Sequence, residues 1–329
     1  MTVLVTGGAG YIGCHAARAL KRRGEQVILY DDLSRGHRRL AQEFELIEAG
    51  IDDAETLAKS LQRVDSVMHF AAYAYVGESV SDPQKYFENN IAGGLALLHA
   101  VLNSPVRNLI FSSTCAVYGV PTQALIAEDH ARAPVNPYGF SKFVFEQALE
   151  AYGRAYGLRH VSLRYFNAAG ADESGEIGEV HDPEPHLIPA ALGAMAGRRA
   201  ALEIFGTDYP TPDGTCIRDY VHVNDLAEAH ALGLEYLRAG GSSTALNLGT
   251  GKGHSVKEVI TTIEQVTGQN VPTMVTARRA GDPPALVADP SRAATILGWK
   301  AERSLQQIIE TAYKWHNSQW RRDVCNRCK

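Results

Sequence analysis

The stretch Thr6-Gly-Gly-Ala-Gly-Tyr-Ile-Gly13 constrains this chain more than any other. It follows the apolar run Val3-Leu-Val5 and opens a helical pattern. Gly7, Gly10 and Gly13 let the backbone turn tightly there and come close to phosphate oxygens, while the start of the following helix favours negative charge. The glycine spacing is one residue wider than the usual dinucleotide fingerprint, and glycines also serve ordinary tight turns. The reading therefore needs support from its surroundings. Asp31 provides it: it ends the next apolar run, where a carboxylate can meet the ribose hydroxyls of an adenosine. A carboxylate at that place repels a 2′-phosphate, which favours NAD over NADP. Arg35, a turn further on, pulls the other way.

The rest of the first half keeps the same rhythm. Apolar runs at 3–5, 27–30, 67–71, 109–112 and 161–165 read as strands, and 15–23, 56–62, 93–102 and 138–152 read as helices. This alternation predicts an α/β fold, a Rossmann-like doubly wound parallel sheet, over residues 1–167. Beyond Asn167, Gly and Pro punctuate the chain, as in Asp182-Pro-Glu-Pro185. Residues 168–329 are expected to form a smaller C-terminal α/β substrate domain, with part of 215–240 packing back on the first. Ligands of open α/β sheets bind beyond the carboxyl ends of the strands, so the second unit should cap that edge.

The 329 residues are 45% hydrophobic, enough for a full core, and the formal net charge is −5. No long basic run suggests a nucleic-acid surface, and no apolar run approaches the roughly 20 residues that span a bilayer. The cysteines Cys14, Cys115, Cys216, Cys325 and Cys328 are odd in number and mostly scattered, which argues against a disulfide framework and for a cytoplasmic setting. Cys325-Asn-Arg-Cys328 has only His316 close by in sequence as a further ligand, so no metal site is assigned.

Asn136-Pro137 reads as a helix start, with Asn as cap and Pro in the first turn. Tyr138 and Lys142 then share one helix face. A free phenol, with a pKa near ~10, is a poor base at neutral pH; a neighbouring ammonium should lower that value. Such a phenol can take and return a hydroxyl proton while hydride moves to a nicotinamide. Ser112-Ser113-Thr114 ends a predicted strand and should bring a hydroxyl to the same edge. Ordinary strand-end capping is the competing reading for Ser113 and Thr114.

With these residues in place, the chain resembles the extended short-chain dehydrogenase/reductase superfamily, and within it the UDP-glucose 4-epimerases. The likeness runs through His69-Phe-Ala-Ala72, Val76-Gly-Glu-Ser79, Leu163-Arg-Tyr-Phe-Asn167, Arg218-Asp-Tyr-Val-His-Val223, Asn247-Leu-Gly249 and Arg279-Ala-Gly-Asp282, in the family's order. It implies a tightly bound NAD, a UDP-sugar substrate, a transient 4-keto sugar and a homodimer built on helices near 93–102 and 138–152. Tyr138 would move the proton, Thr114 and Ser113 would assist, and Lys142 would tune Tyr138 and hold the nicotinamide ribose. Cofactor contacts carry over to Gly7, Gly10, Tyr11, Ile12, Gly13, Asp31, Ile51, Phe70, Ala71, Ala72, Asn90, Ser112 and Phe166. Substrate contacts carry over to Asn167, Leu187, Ile204, Phe205, Arg218, Arg279 and Asp282, two of them arginines suited to a diphosphate, while His186 stands where an Asn often contacts the substrate and Leu286 where sugar size is policed.

Sugar-nucleotide dehydratases of the same superfamily carry an Asp-Glu pair after the Thr, where this chain has Cys115-Ala116. Without an acid there, water expulsion lacks its proton carrier. The chain departs from the epimerase pattern at Tyr73-Ala74-Tyr75, where a Lys often stands, and at Ala49-Gly50-Ile51, where an adenine-amine acceptor is either lost or supplied by Asp52. Leu286, at the position that polices sugar size, is intermediate and leaves acceptance of N-acetylated sugars open, while Ala74-Tyr-Val-Gly-Glu-Ser79 resembles forms that act on UDP-xylose and UDP-arabinose and, with Leu286, makes these a second substrate class. A non-catalytic NAD-binding sensor on the same fold is a third reading; it would need the glycines and Asp31 but not Tyr138 and Lys142.

Overall fold

The computed structural model of the chain describes residues 1–279, 282–319 and 321. In chain order its regular elements are β1 (Thr2–Thr6), α1 (Tyr11–Arg22), β2 (Gln26–Asp31), β3 (Glu45–Glu48), α2 (Ala54–Leu61), β4 (Ser66–His69), α3 (Val76–Ser81), α4 (Pro83–Tyr86), α5 (Gly94–Leu102) and β5 (Asn108–Thr114). Then follow α6 (Pro137–Tyr156), β6 (Arg159–Tyr165), β7 (Asn167–Ala169), α7 (Leu187–Met195), β8 (Leu202–Phe205), β9 (Ile217–Arg218), β10 (Tyr220–His222), α8 (Val223–Arg238) and β11 (Thr244–Leu248). The last are β12 (His254–Ser255), α9 (Val256–Thr267), β13 (Thr273–Thr276), β14 (Ala285–Leu286), α10 (Ser291–Leu297) and α11 (Leu305–Asn317).

Among the described residues a seven-stranded parallel sheet forms in the order β3-β2-β1-β4-β5-β6-β11. Its strands read as short continuous apolar runs because both faces are covered: β4 and β5 are buried at every position. One face packs Val3, Val5, Leu29 and Val161 against α1 and α8; the other packs Leu4, Val67, Leu109 and Phe111 against α2, α5 and α6. The strand order reverses between β1 and β4, which puts the crevice beyond the carboxyl ends of β1, β4 and β5.

The chain returns to this sheet after leaving it. β11 pairs with β6 in register Leu246↔Leu163, and α8 buries Leu226, Leu234 and Leu237 in the core beneath β5 and β6. Each such leucine contributes roughly 1.5–3 kcal/mol over an exposed one, so this return is part of the fold's stability. A single division at 167 therefore does not separate the strands of the sheet, and the returning stretch extends past 215–240 to β11. The other half of the chain builds its own core from α7, α9 and α11, with Ile188, Ile263 and Ile308 at its centre. Two small sheets, β8–β13 and β12-β9-β14, face the crevice from that side.

Candidate functional site

A cavity of about 1130 Å³ runs from the glycine turn after β1 to the small sheet β12-β9-β14. Pockets for one drug-sized ligand span ~300–1,000 Å³, so this one is larger than a single small ligand requires. Its walls include Gly7, Gly10, Tyr11, Ile12, Gly13, Asp31, Ile51, Phe70, Ala71, Ala72, Ser112, Thr114, Tyr138, Lys142 and Phe166, all expected cofactor or catalytic positions. Asn167, His186, Leu187, Ile204, Phe205, Arg218, Arg279, Asp282 and Leu286, the expected substrate positions, line it too.

The cofactor end is shaped by what glycine omits. A Cβ on Gly13 would lie 2.2 Å from the Gly7 carbonyl oxygen, and one on Gly7 would lie 2.5 Å from the Ala71 nitrogen. The turn therefore closes only with glycine at both places. Helix α1 has Gly10 as its N-cap, no side-chain cap and no acid in its first turn. Its first amides have no helical carbonyl partner, and they belong to residues on the cavity wall. This arrangement fits a pyrophosphate. Asp31 is held at the same rim: its carboxylate accepts from the Ala9 amide at 2.9 Å and from the Leu33 amide at 2.9 Å. Burial raises its pKa from the usual carboxylate value, and the two amides oppose that. Leu33 takes a left-handed φ of 60°, backbone strain in the residue that secures the acid. Arg35 also lines the cavity but is already engaged, donating to Glu78 at 2.9 Å and to the Asp182 carbonyl at 3.0 Å.

Catalytic candidates come from β5 and α6. Asn136 caps α6, accepting from the Gly139 amide at 2.8 Å, with Pro137 in the first turn. Alternation along β5 turns Ser112 and Thr114 to the cavity and Ser113 away from it. Ser113 is fully buried and donates to Glu146 at 2.6 Å, inside a cluster where Glu146 also accepts from Arg164 Nη2 at 2.6 Å. The expectation that Ser113 offers its hydroxyl to substrate is therefore corrected: alternation sets it opposite Ser112 and Thr114, and the packing of β5 turns that face to the core. Asn90 is also behind the wall. Its amide oxygen accepts from the Tyr73 amide at 2.9 Å, and its amide nitrogen donates to the Tyr73 carbonyl at 2.9 Å. It holds the segment after β4 without reaching the cavity.

Burial pushes the Tyr138 phenol up to about 12, although the Thr114 hydroxyl opposes the rise. Burial brings the Lys142 amine down to about 7, with Glu146 partly restoring it. The amine donates to the Ser112 carbonyl at 2.8 Å. In the protein alone Lys142 thus does not lower the phenol's pKa as expected: its proton is directed at the strand, and desolvation dominates both groups.

At the substrate end, Leu286 pairs in register with Arg218, so the sugar-size position adjoins an expected phosphate contact. Arg218 is paired with Asp282, and the Arg279 guanidinium lies 3.8 Å from the centre of the Phe205 ring. Arg278, beside it in sequence, is taken up by Asp208 at 2.7 Å. Cys115 is on the cavity wall and burial raises its thiol to about 12, so no acid or reactive thiolate follows Thr114. Asp52 is not among the lining residues, whereas Ala49 and Ile51 are. Sequence reasoning missed the wall formed by Glu179, His181 and Glu184 beside His186, and also Tyr165, whose hydroxyl is bonded to the Ser112 hydroxyl. The signal was present as alternating acids and histidines in a proline-rich loop that reads simply as punctuation. Cys325 and Cys328 lie outside the described residues. No helix among the described residues is long and apolar enough to cross a membrane.

Comparison with known proteins gives a consistent answer. The model of the NAD dependent epimerase/dehydratase family matches residues 3–249. A UDP-glucose 4-epimerase of Rhizobium meliloti (strain 1021) is 48% identical over 317 residues, spanning 96% of this chain and 97% of that protein. The structure of the Brucella ovis UDP-glucose 4-epimerase, in complex with NAD, has a TM-score of 0.93 at 51% identity, over 95% of this chain and 97% of that one. A UDP-glucose-4-epimerase from Stenotrophomonas maltophila with bound NAD and formylated UDP-arabinopyranose has a TM-score of 0.93 at 40% identity, over 100% of both chains. The chain belongs to the NAD dependent epimerase/dehydratase family.

Proposed function

We propose that this chain is an NAD-dependent nucleotide-sugar 4-epimerase that interconverts UDP-glucose and UDP-galactose. The observation that carries this reading is one continuous cavity: it joins the glycine cradle and Asp31 to Tyr138, Lys142 and Thr114, and has no acid at Cys115-Ala116. Gly7, Gly10 and Gly13 hold the cofactor pyrophosphate and Asp31 its adenosine ribose. NAD, held there, would supply a cationic hydride acceptor beside the sugar C4. Tyr138 takes the proton of the 4-hydroxyl and later returns it, so one phenol serves both directions. A cation brought into the cavity lowers the value that burial has raised, which prepares the phenol as a base. Thr114 orients the reacting oxygen. Lys142, fixed on the Ser112 carbonyl, is the group poised to hold the nicotinamide ribose. Arg218 and Arg279 take the substrate diphosphate, with Arg218 exchanging Asp282 for phosphate.

A second reading, UDP-xylose and UDP-arabinose as an additional substrate pair, rests on Ala74 and Leu286, which both line the cavity, and is supported by the formylated UDP-arabinopyranose bound in the Stenotrophomonas maltophila protein. The deciding experiment offers purified protein UDP-galactose and UDP-arabinose without added reductant and compares kcat/KM. Formation of UDP-glucose supports the first assignment, and its absence refutes it; negligible pentose turnover removes the second. A homodimer fits the exposed Phe87, Leu95 and Phe140, with Phe87 and Phe140 packed 6.0 Å apart between ring centres. Leu149 is fully buried in the chain's own core and is not available to such a contact. The free, buried thiols Cys14, Cys115 and Cys216 support a reducing, cytoplasmic setting.

A further inference from the structure

The loop before α7 gathers an unusual set of donors. Glu179, His181, Glu184 and His186 each offer one atom, and these atoms all lie within 4.8 Å of one another. His181 Nδ1 is 3.0 Å from Glu179 Oε1 and 3.7 Å from Glu184 Oε1. His186 Nδ1 touches Glu179 Oε1 and is 3.6 Å from Glu184 Oε1. In a tetrahedral site with bonds of ~2.0–2.2 Å, neighbouring donor atoms lie roughly 3.3–3.6 Å apart, so most of these separations bracket the edges of such a site.

Two further observations show that the cluster is incompletely satisfied by its own members. His181 Nδ1 is buried and, despite its closeness to Glu179, finds no aligned hydrogen-bond partner; Glu184 Oε2 is buried and equally without one. The loop is also held in place from outside. Trp315 Nε1 donates to the Glu179 carbonyl at 2.9 Å, and a Cβ on Gly178 would lie 2.5 Å from the Trp315 ring, so the indole packs directly on the backbone. The Tyr75 ring meets the His181 ring edge-on at 5.4 Å. Two carboxylates and two imidazoles form a neutral cluster either with two protons or with one divalent cation. An N₂O₂ set of this kind suits a first-row divalent ion such as Zn²⁺.

We propose that Glu179, His181, Glu184 and His186 form a binding site for a divalent transition-metal ion at the substrate end of the cavity. Binding displaces the imidazole protons, so metal uptake releases acid and weakens as pH falls. The ion ties the 179–186 loop to itself and fixes His186, an expected substrate contact, to the cavity wall. This site is independent of the redox chemistry assigned to Tyr138, and it stands or falls without it.

The test uses the full chain, stripped with a chelator and then titrated with Zn²⁺ against a chromophoric competitor. The expected result is one equivalent bound with measurable proton release, and at least a tenfold loss of affinity in both His181→Ala and Glu184→Gln. Chelator-treated variants should melt close to the chelator-treated parent, and added Zn²⁺ should raise the melting temperature of the parent but not of His181→Ala or Glu184→Gln. The Cys325→Ser/Cys328→Ser double variant should keep the site, and Co²⁺ bound to the unaltered chain should show no thiolate charge-transfer band, a readout that needs no variant to fold. The absence of binding, unchanged affinity in His181→Ala and Glu184→Gln, or loss of the site with the two C-terminal cysteines would overturn the proposal.

Discussion

Tyr138 and Lys142 stand one turn apart near the start of α6, and both line the cavity. Helical spacing brought both side chains to the cavity, yet burial holds the phenol up at about 12 and the amine down at about 7. Charge in the cavity, rather than Lys142 alone, must then tune the phenol. Tyr138→Phe should lower kcat by about 10²–10⁴-fold, the usual share of a general acid-base group, while NAD released on denaturation stays stoichiometric. Retained turnover in that variant would remove Tyr138 from the chemistry. Ser113 makes the complementary case. Its hydroxyl serves Glu146 inside the core, so Ser113→Ala should leave kcat within about twofold and cost about 1–3 kcal/mol of stability in urea unfolding. A large fall in kcat with unchanged stability would return Ser113 to the site. The strand pattern was visible in the sequence at 112–114, but which of the two faces meets the cavity depends on how β5 sits between β4 and β6.

At the scale of elements, the β1–turn–α1 unit was legible because everything that defines it is local: an apolar strand, three glycines and a helix that begins without a side-chain cap. The tightness of the turn sets its sensitivity. Gly13→Ala forces a Cβ to within 2.2 Å of the Gly7 carbonyl, and no flexible side chain is there to yield. The variant should purify with NAD absent or far below stoichiometric, while far-UV circular dichroism stays close to that of the parent. Full NAD occupancy would show that the cradle is not where the cofactor pyrophosphate lies. The return of α8 and β11 to the sheet was only partly legible. Packing of part of 215–240 on the first unit was expected, but pairing of Leu246 with Leu163 joins residues far apart in the chain, and no local pattern encodes that partner. The same holds for His181 and His186, whose meaning emerges only once the loop folds beside Glu179.

At the scale of the whole molecule, burial makes stability depend on pH. His15 and His230 are pushed down to about 4, and His69 and His222 to about 3, in each case chiefly by desolvation. Their folded values lie below the unfolded value, so their contribution is complete above pH ~6.5, the ordinary histidine value. It is lost as pH falls, because the unfolded chain takes up protons first. Each group contributes a slope of up to about 1.4 kcal/mol per pH unit between pH ~6.5 and its folded value. The urea midpoint should therefore fall between pH 7.5 and pH 5, before most carboxylates titrate. A midpoint that holds steady over that range would mean that these histidines are not buried as described.

The same whole-molecule view unites the cavity. One wall suits a dinucleotide, the other suits a sugar nucleotide, and the phenol stands between them, with no acid after Thr114 to divert the oxidised sugar. The central claim is that hydride leaves the sugar C4 and returns to the same carbon without net redox change. UDP-glucose deuterated at C4, converted by the purified chain in ordinary water, tests this most directly. The account predicts UDP-galactose that keeps its deuterium at C4, with no reduced nicotinamide accumulating beyond the enzyme itself; loss of the label to solvent would contradict it.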